Sequence, residues 1–485
     1  MDVAVVGSGP NGMAAAVVLA RAGLKVVVYE AADTVGGGAR SAELTLPGFW
    51  HDVCSGAHPM GLGSPFFRAF DLAAHGVELL QPEAPYAQPL DGGRAGIAWR
   101  DLNRTADGLG RDGPAWRALV GPLSRRWPEL VDLAMSDWRT PRVAPLTAIR
   151  FALGVAGTGW APEAVFRDAT APAMLAGIGA HAIAPPRGPA TAGVSVMLAA
   201  LAHGVGWPVP RGGSQAITDA LAADLRAHGG RVVTGHRVDD LGELTAGRPR
   251  AIVLDVSPTG LLRLARGRLP AGYERWLRRY RYTGGGACKV DFALSGPVPW
   301  AAPGLDRAGT LHLAGTRAEV LRAEAQVQAG RHPERPYVLA IQPGVVDGTR
   351  APAGRHTFYT YTHVPSGSPR DVSDNVVAQV ERFAPGFRDL ILARNVITAA
   401  GQRERNENYV GGDIGCGAVT LRQTLARPAP RWDPYATPLR GVYLCSAATP
   451  PGPGVHGLGG LHAARRVLRR RFGITADALG LLAGP

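Results

Sequence analysis

Cysteine is scarce in this chain. Its 485 residues hold four, Cys54, Cys288, Cys416 and Cys445, no two of them within three positions of one another. That spacing excludes a CxxC redox pair and the usual zinc knuckles. No metal site is expected, and the thiols are predicted to be free and partly buried. Lysine is scarcer still. Only Lys25 and Lys289 occur, so all but two of the 52 basic residues are arginine. The net charge is +13, but the arginines are scattered and no aromatic–basic motif accompanies them, so no nucleic-acid partner is expected. Also missing is any apolar run near the ~20 residues that span a bilayer. The longest, around 149–156 and 194–202, fall short. A strand-like segment starts at Asp2 and leads straight into a glycine loop, which leaves no room for a leader and predicts a cytoplasmic chain. What is present is ample core material, 46% hydrophobic against 19% charged residues, enough for roughly three domain-sized units.

The first forty residues carry the sharpest pattern. Val3, Ala4, Val5 and Val6 form a short strand-like run, followed by Gly7, Ser8, Gly9, Pro10, Asn11 and Gly12, and then an alanine-rich helical stretch over 13–22. Gly23 ends that helix, and residues 25–29 read as a second strand closing on Glu30. In this βαβ context Gly7 permits the turn, Gly9 lets backbone approach a pyrophosphate, and Gly12 lets helix pack on strand. The helix N-terminus favours the pyrophosphate charge. Glu30 can accept hydrogen bonds from ribose hydroxyls, which suits FAD or NAD and opposes the 2′-phosphate of NADP. A second GxGxxG, Gly108 to Gly113, follows a polar stretch instead of a strand and is predicted to be a loop.

The fingerprint continues with Val35, Gly36, Gly37, Gly38, Ala39 and Arg40. This resembles the extended FAD signature of the amine-oxidase superfamily, in which a glycine pair and an arginine close over the pyrophosphate. The resemblance implies FAD as cofactor, with Gly37, Gly38 and Arg40 on the phosphates, although Arg40 comes two positions later than usual. Near the other end, residues 441–448 read as a strand, a loop containing Gly452, Gly454, Val455, His456 and Gly457 follows, and a helix is predicted over 458–471. This segment is similar to the phytoene-desaturase-like flavoproteins. There it lies along the isoalloxazine ring, so Gly454, Val455, His456 and Gly457 are implied flavin contacts. His456 is read either as a catalytic group or as a hydrogen-bonded structural histidine. The helix N-terminus would favour negative charge near flavin N1 and O2.

The middle of the chain extends the likeness. A helix over 216–228 and strands at 230–234 and 251–258 are predicted, and the position matching Val238 holds the adenine through its backbone in the superfamily. The stretches Leu46 to Phe49 and Ser55 to Pro59 resemble the branch named for pyridine nucleotide-disulphide oxidoreductase domain-containing protein 2. Its name does not fit this sequence, which has no redox cysteine pair and no second dinucleotide fingerprint. The expected fold is α/β, with a discontinuous Rossmann-like FAD-binding domain from about 1–75, 205–283 and 400–485. A substrate domain of mixed sheet and helices is expected from about 76–204 and 284–399. Its first part reads as mainly helical. In the second part, residues 287–294 alternate and place Lys289 and Asp291 on one face. By superfamily analogy Lys289 is a catalytic candidate near flavin N5. The other reading is a surface lysine paired with Asp291.

These features predict an FAD-dependent oxidoreductase that takes a hydride from carbon of a hydrophobic, isoprenoid-like substrate and passes electrons to an unidentified acceptor. A flavin amine oxidase ranks lower, because no aromatic or acidic cage is visible in the sequence. A non-catalytic flavin-binding protein is the third reading. Arg465, Arg466, Arg469, Arg470 and Arg471 crowd the end of the last helix. They are read as partners of its dipole or as a peripheral contact with anionic lipid.

Overall fold

The computed structural model describes residues 1–137 and 139–483. Two sheets organise it. The first is parallel, in the order Val442–Leu444, Ala251–Leu254, Val3–Val6, Val26–Tyr29, Arg231–Val233. Val3–Val6 lies at its centre and is buried at all four positions, which is why its sequence is a continuous apolar run without alternation. The Pro10–Arg21 helix crosses from this strand to the next. Pro10 suits its first turn, where an N–H would have no intrahelical partner, and Arg21 in the last turn pairs with Asp224 at 2.6 Å.

The second sheet is mixed, in the order Ile391–Ile397, Gly285–Leu294, His356–Pro365, Val338–Ile341, Ala308–Leu313, Ala84–Leu90, Arg94–Ala98. Its last two strands come from the segment expected to be mainly helical. Ala84–Leu90 contains Pro85 and Pro89, and proline in a run ordinarily argues against a strand. The remainder of that segment supplies helices over Gly113–Arg125, Trp127–Met135, Pro145–Gly159, Thr170–Gly179 and Pro189–Gly204. The Gly108 to Gly113 match is not the expected loop. Gly108 ends one helix, Gly113 begins the next, and a single tight turn joins them.

The C-terminal helix spans Leu458–Val467 and widens into a last turn over Leu468–Phe472. Four of its five arginines are tied to the protein. Arg466 is buried between Asp137 (2.5 Å) and Asp433 (3.1 Å), and Arg470 reaches Asp433 at 2.7 Å. Arg465 lies 3.8 Å from Asp477, and Arg471 Nε donates to Arg250 O at 2.8 Å. Of the five, only Arg466 is buried; Arg469 and Arg470 are exposed. Among the described residues no helix is long and apolar enough to cross a membrane.

Candidate functional site

The dinucleotide corner is built from backbone that tolerates no side chain. Gly7 takes φ +95° between strand and helix, and a Cβ on Gly12 would run into Gly7 O. Glu30, at the end of the neighbouring strand, accepts from the Ser8 N–H (2.8 Å), the Ser8 hydroxyl (2.6 Å) and the Ala32 N–H (2.9 Å). Its carboxylate is thereby fixed beside the loop. The second glycine loop lies on the first: Gly36 N donates to Ser8 O at 3.1 Å, and a Cβ on Gly37 would sit 3.0 Å from Gly9 Cα. Gly36 and Gly37 have φ of +119° and +54°, which β-carbon-bearing residues rarely adopt. A Cβ on Gly38 would collide with the Tyr409 hydroxyl. Arg40 Nε donates to Gly37 O at 3.0 Å and Nη2 to Arg405 O at 3.5 Å, so this side chain buttresses the glycine loop.

A second helix N-terminus meets the first. In the Leu458–Val467 helix, a Cβ on Gly460 would run into Asn11 O and lie 2.7 Å from Ala15 N, and one on Gly459 would meet Cys445 O. Only glycines let the two helices start side by side. The preceding loop is held by its own ring. His456 Nε2 donates to Gly452 O (3.1 Å) and Nδ1 accepts from Leu458 N–H (3.1 Å), while Ser64 Oγ donates to His456 O (2.5 Å). Burial pulls the ring pKa down to about 4. Both ring nitrogens serve the loop, and Gly454 and Gly457, with φ of +133° and +68°, give that loop its shape. Val455 is buried beside it. Val238 is buried too, and its carbonyl accepts from Arg263 Nη1 at 3.2 Å, which commits that half of its peptide to the protein.

Two helix N-termini side by side each favour negative charge. Beside them, Asn11 Oδ1 is buried with no hydrogen-bond partner. Together with Glu30, this donor and acceptor set fits a dinucleotide diphosphate and its ribose.

One residue here was not anticipated. Asp255 follows the Ala251–Leu254 strand, and its Oδ2 accepts from Gly12 N at 3.0 Å. A Cβ on Gly9 would lie 2.6 Å from that oxygen, so glycine at position 9 is required by the protein itself as well as by any ligand. Burial raises the Asp255 pKa to about 7, the Gly12 N–H opposes the rise, and the Glu30 charge adds to it. Below that pH the carboxyl is neutral. Above it, a negative charge occupies an N–H suited to phosphate. FAD affinity of the wild type should therefore fall as pH rises through about 7, approaching tenfold per pH unit. Asp255→Asn should bind FAD with little pH dependence and more tightly than wild type on the alkaline side. Titration of apoprotein with FAD across the range checks this; a flat wild-type profile would contradict it.

Across from this corner stands the mixed sheet. On Gly285–Leu294, Val290, Phe292 and Leu294 enter an apolar core, while Lys289 and Asp291 share the opposite face, as the alternation requires. Lys289 is not at the surface. It is 1% exposed, forms a close ion pair with Asp291, and its Nζ lies 4.3 Å over the Tyr359 ring. His51 Nδ1 stands 3.6 Å from Asp291, and burial, with Lys289 adding, depresses its pKa to about 3. Asp52, next along, pairs with buried Arg350 at 2.7 Å. The Trp50–Asp52 strand thus joins the charged cluster to the glycine loops, because Val53 N donates to Arg40 O (2.8 Å) and Ser55 N to Gly38 O (2.9 Å).

The same sheet face carries aromatic and acidic residues that are scattered in the sequence. Tyr359, Tyr361 and His363 alternate along the His356–Pro365 strand. Tyr337 stacks on His363 with centroids 5.0 Å apart, and His363 Nδ1 donates to buried Glu324 at 2.6 Å. Around them the wall is small and apolar, with Ala176, Ala180, Ala287, Ala314, Leu339 and Ile341.

The family model described as flavin containing amine oxidoreductase matches residues 11–256. The rat pyridine nucleotide-disulfide oxidoreductase domain-containing protein 2 is 27% identical, over 96% of this chain and 93% of its own. Phytoene desaturase (neurosporene-forming) of Rhodobacter capsulatus is 27% identical over 50% of each chain. Among solved structures, a redesigned putrescine oxidase superposes with a TM-score of 0.60 at 16% identity, covering 97% of this chain and 98% of that one. At that identity the likeness speaks for the fold.

Proposed function

The chain belongs to the flavin-containing amine oxidoreductase family and binds FAD, and from that premise we propose that it dehydrogenates a carbon–carbon bond of an apolar substrate. The observation that carries this reading is the buried, alanine-rich cluster on the mixed sheet, joined to the glycine loops through the Tyr359 hydroxyl, which donates to Cys54 O. Bound FAD supplies the two-electron acceptor for a hydride from substrate carbon. The chain's own groups do the rest. The paired helix N-termini hold anionic charge, the wall orients substrate and excludes water, and the buried Lys289–Asp291 pair holds a proton that can move within the site. Burial lowers the Lys289 pKa against the opposing pull of Asp291, and burial raises that of Asp291 against Lys289, so the two share their proton more evenly than exposed groups would.

One observation favours a second reading, oxidation of an amine. Tyr337, Tyr361 and buried Glu324 are the aromatic and acidic surroundings that suit a cationic group. Anaerobic mixing, followed at the flavin's visible absorbance, separates the readings. We expect a saturated or alcohol-bearing apolar substrate to bleach the FAD within a turnover, and NADH and NADPH to do so slowly. Rapid bleaching by primary amines would favour the second reading. Saturable bleaching by micromolar NADPH would sink both and point to a reductase or monooxygenase.

A further inference from the structure

The Pro145–Gly159 helix packs Phe151 against the core but carries a row of other large apolar residues outward. The side facing the protein carries Thr147, Gly154, Thr158 and Gly159, all buried. A Cβ on Gly154 would lie 3.0 Å from Leu119 Cδ1 and 3.4 Å from Val196 Cγ1, so beside Phe151 the helix rests on its neighbours through small side chains. Leu146, Ile149 and Leu153, spaced i, i+3 and i+7, point the other way and are 44%, 58% and 66% exposed. Val143 extends the stripe before the helix, and Trp160, 64% exposed, extends it after. This inverts the polarity expected of a surface helix, and a contiguous apolar stripe of this kind marks a surface that something covers.

Charge indicates what covers it. Arg142, exposed, and Arg150, partly exposed, border the stripe; Arg139 is paired with Asp433 at 3.6 Å, and the flanking Asp137 and Glu163 are paired with Arg466 and Arg317. An apolar stripe bordered by arginine that is unpaired among the described residues, with its nearest carboxylates already paired, and ending in tryptophan, has the composition of a helix that lies in the plane of a lipid interface. Its apolar side chains would enter the acyl boundary, its guanidinium groups would meet phosphates, and the indole would sit at headgroup level. We propose that this face docks the protein on an anionic lipid bilayer.

The test is co-sedimentation of the FAD-loaded full chain with vesicles of phosphatidylcholine, alone or mixed with phosphatidylglycerol. Wild type should pellet with the mixed vesicles and less so as salt is raised. Ile149→Asp/Leu153→Asp, both at exposed positions, should lose binding at least tenfold while keeping the FAD absorbance of wild type. Arg142→Gln/Arg150→Gln should weaken binding to the anionic vesicles selectively. Unchanged sedimentation of the aspartate variant, or wild type that stays in the supernatant with both vesicle types, overturns the proposal. A wild-type dimer in solution that the aspartate variant converts to monomer would assign the face to a second copy of the chain and overturn it equally. None of these readouts depends on turnover.

Discussion

Lys289→Met should lower the stability of the folded protein by about 3–5 kcal/mol, the usual cost of breaking a buried ion pair from one side. The argument rests on what is left behind. Asp291 is fully buried, and its ion-pair partners are Lys289 and, at 3.6 Å, His51. His51 is itself held neutral by burial, with a pKa near 3, and cannot replace the lost cation. Methionine matches the length of the lysine stem and keeps its contact with the Tyr359 ring, so the loss is electrostatic rather than a cavity. The double variant Lys289→Met/Asp291→Asn removes the stranded charge and should recover most of the stability. Urea unfolding of the wild type, the single and the double variant makes the comparison. A single variant no less stable than the double would refute the buried pair. In the fraction that folds, flavin reduction and reoxidation rates then report on chemistry. Unchanged rates in both half-reactions would leave Lys289 as a structural group.

How far this site was legible follows from how local its signals are. The first glycine loop lies within six residues of one strand, and its spacing alone made it readable, although Gly9 answers to the distant Asp255. Glu30 and the 36–38 loop were equally readable, because strand, turn and acidic end come in order. Asp255 was not, since its contact with Gly12 spans 243 positions. Nothing in the run from Ala251 to Pro258 separates a strand-end aspartate that faces solvent from one that faces a helix N-terminus. Lys289 illustrates the same limit. Alternation put it on the correct face with Asp291, but burial of that face depended on register. Lys289 stands opposite Tyr361 and Asp291 opposite Tyr359, an antiparallel pairing of strands about seventy residues apart. The aromatic lining was missed for that reason, and Glu324 because it arrives from a separate helix. His456 was ambiguous because a loop histidine before a glycine-rich helix can face a ligand or its own backbone. Here the ring bonds on both sides to residues within four positions. The inverted helix at 145–159 escaped for the opposite reason: its apolar spacing was visible, but spacing alone does not say which side is covered.

Gly460→Ala should cost the protein its FAD, although sequence alone gives that position no rank above any other helical glycine. Alanine normally stabilises a helix interior relative to glycine by about 0.5–1 kcal/mol, so local propensity predicts a gain. The contact across the helices predicts the reverse. The added Cβ would overlap Asn11 O and stand 2.7 Å from Ala15 N, and both are backbone atoms of the Pro10–Arg21 helix that cannot rotate aside. Relief requires the two helices to separate, which draws apart the two N-termini that each favour negative charge. Overpacking of this kind costs about 1–3 kcal/mol. If the loss falls on the bound geometry, FAD affinity drops by roughly ten- to a hundredfold. The control is Gly108→Ala, in the other GxGxxG match. No atom lies within 4 Å of a Cβ there, and the position ends a helix remote from any strand–turn–helix corner. Both variants carry the same chemical change in a motif glycine or its neighbour. The ratio of flavin absorbance to protein absorbance after purification therefore isolates the geometry. Gly108→Ala should match wild type and Gly460→Ala should emerge largely colourless yet folded by circular dichroism. If Gly460→Ala retains a full complement of FAD, the paired helix N-termini are not what holds the cofactor.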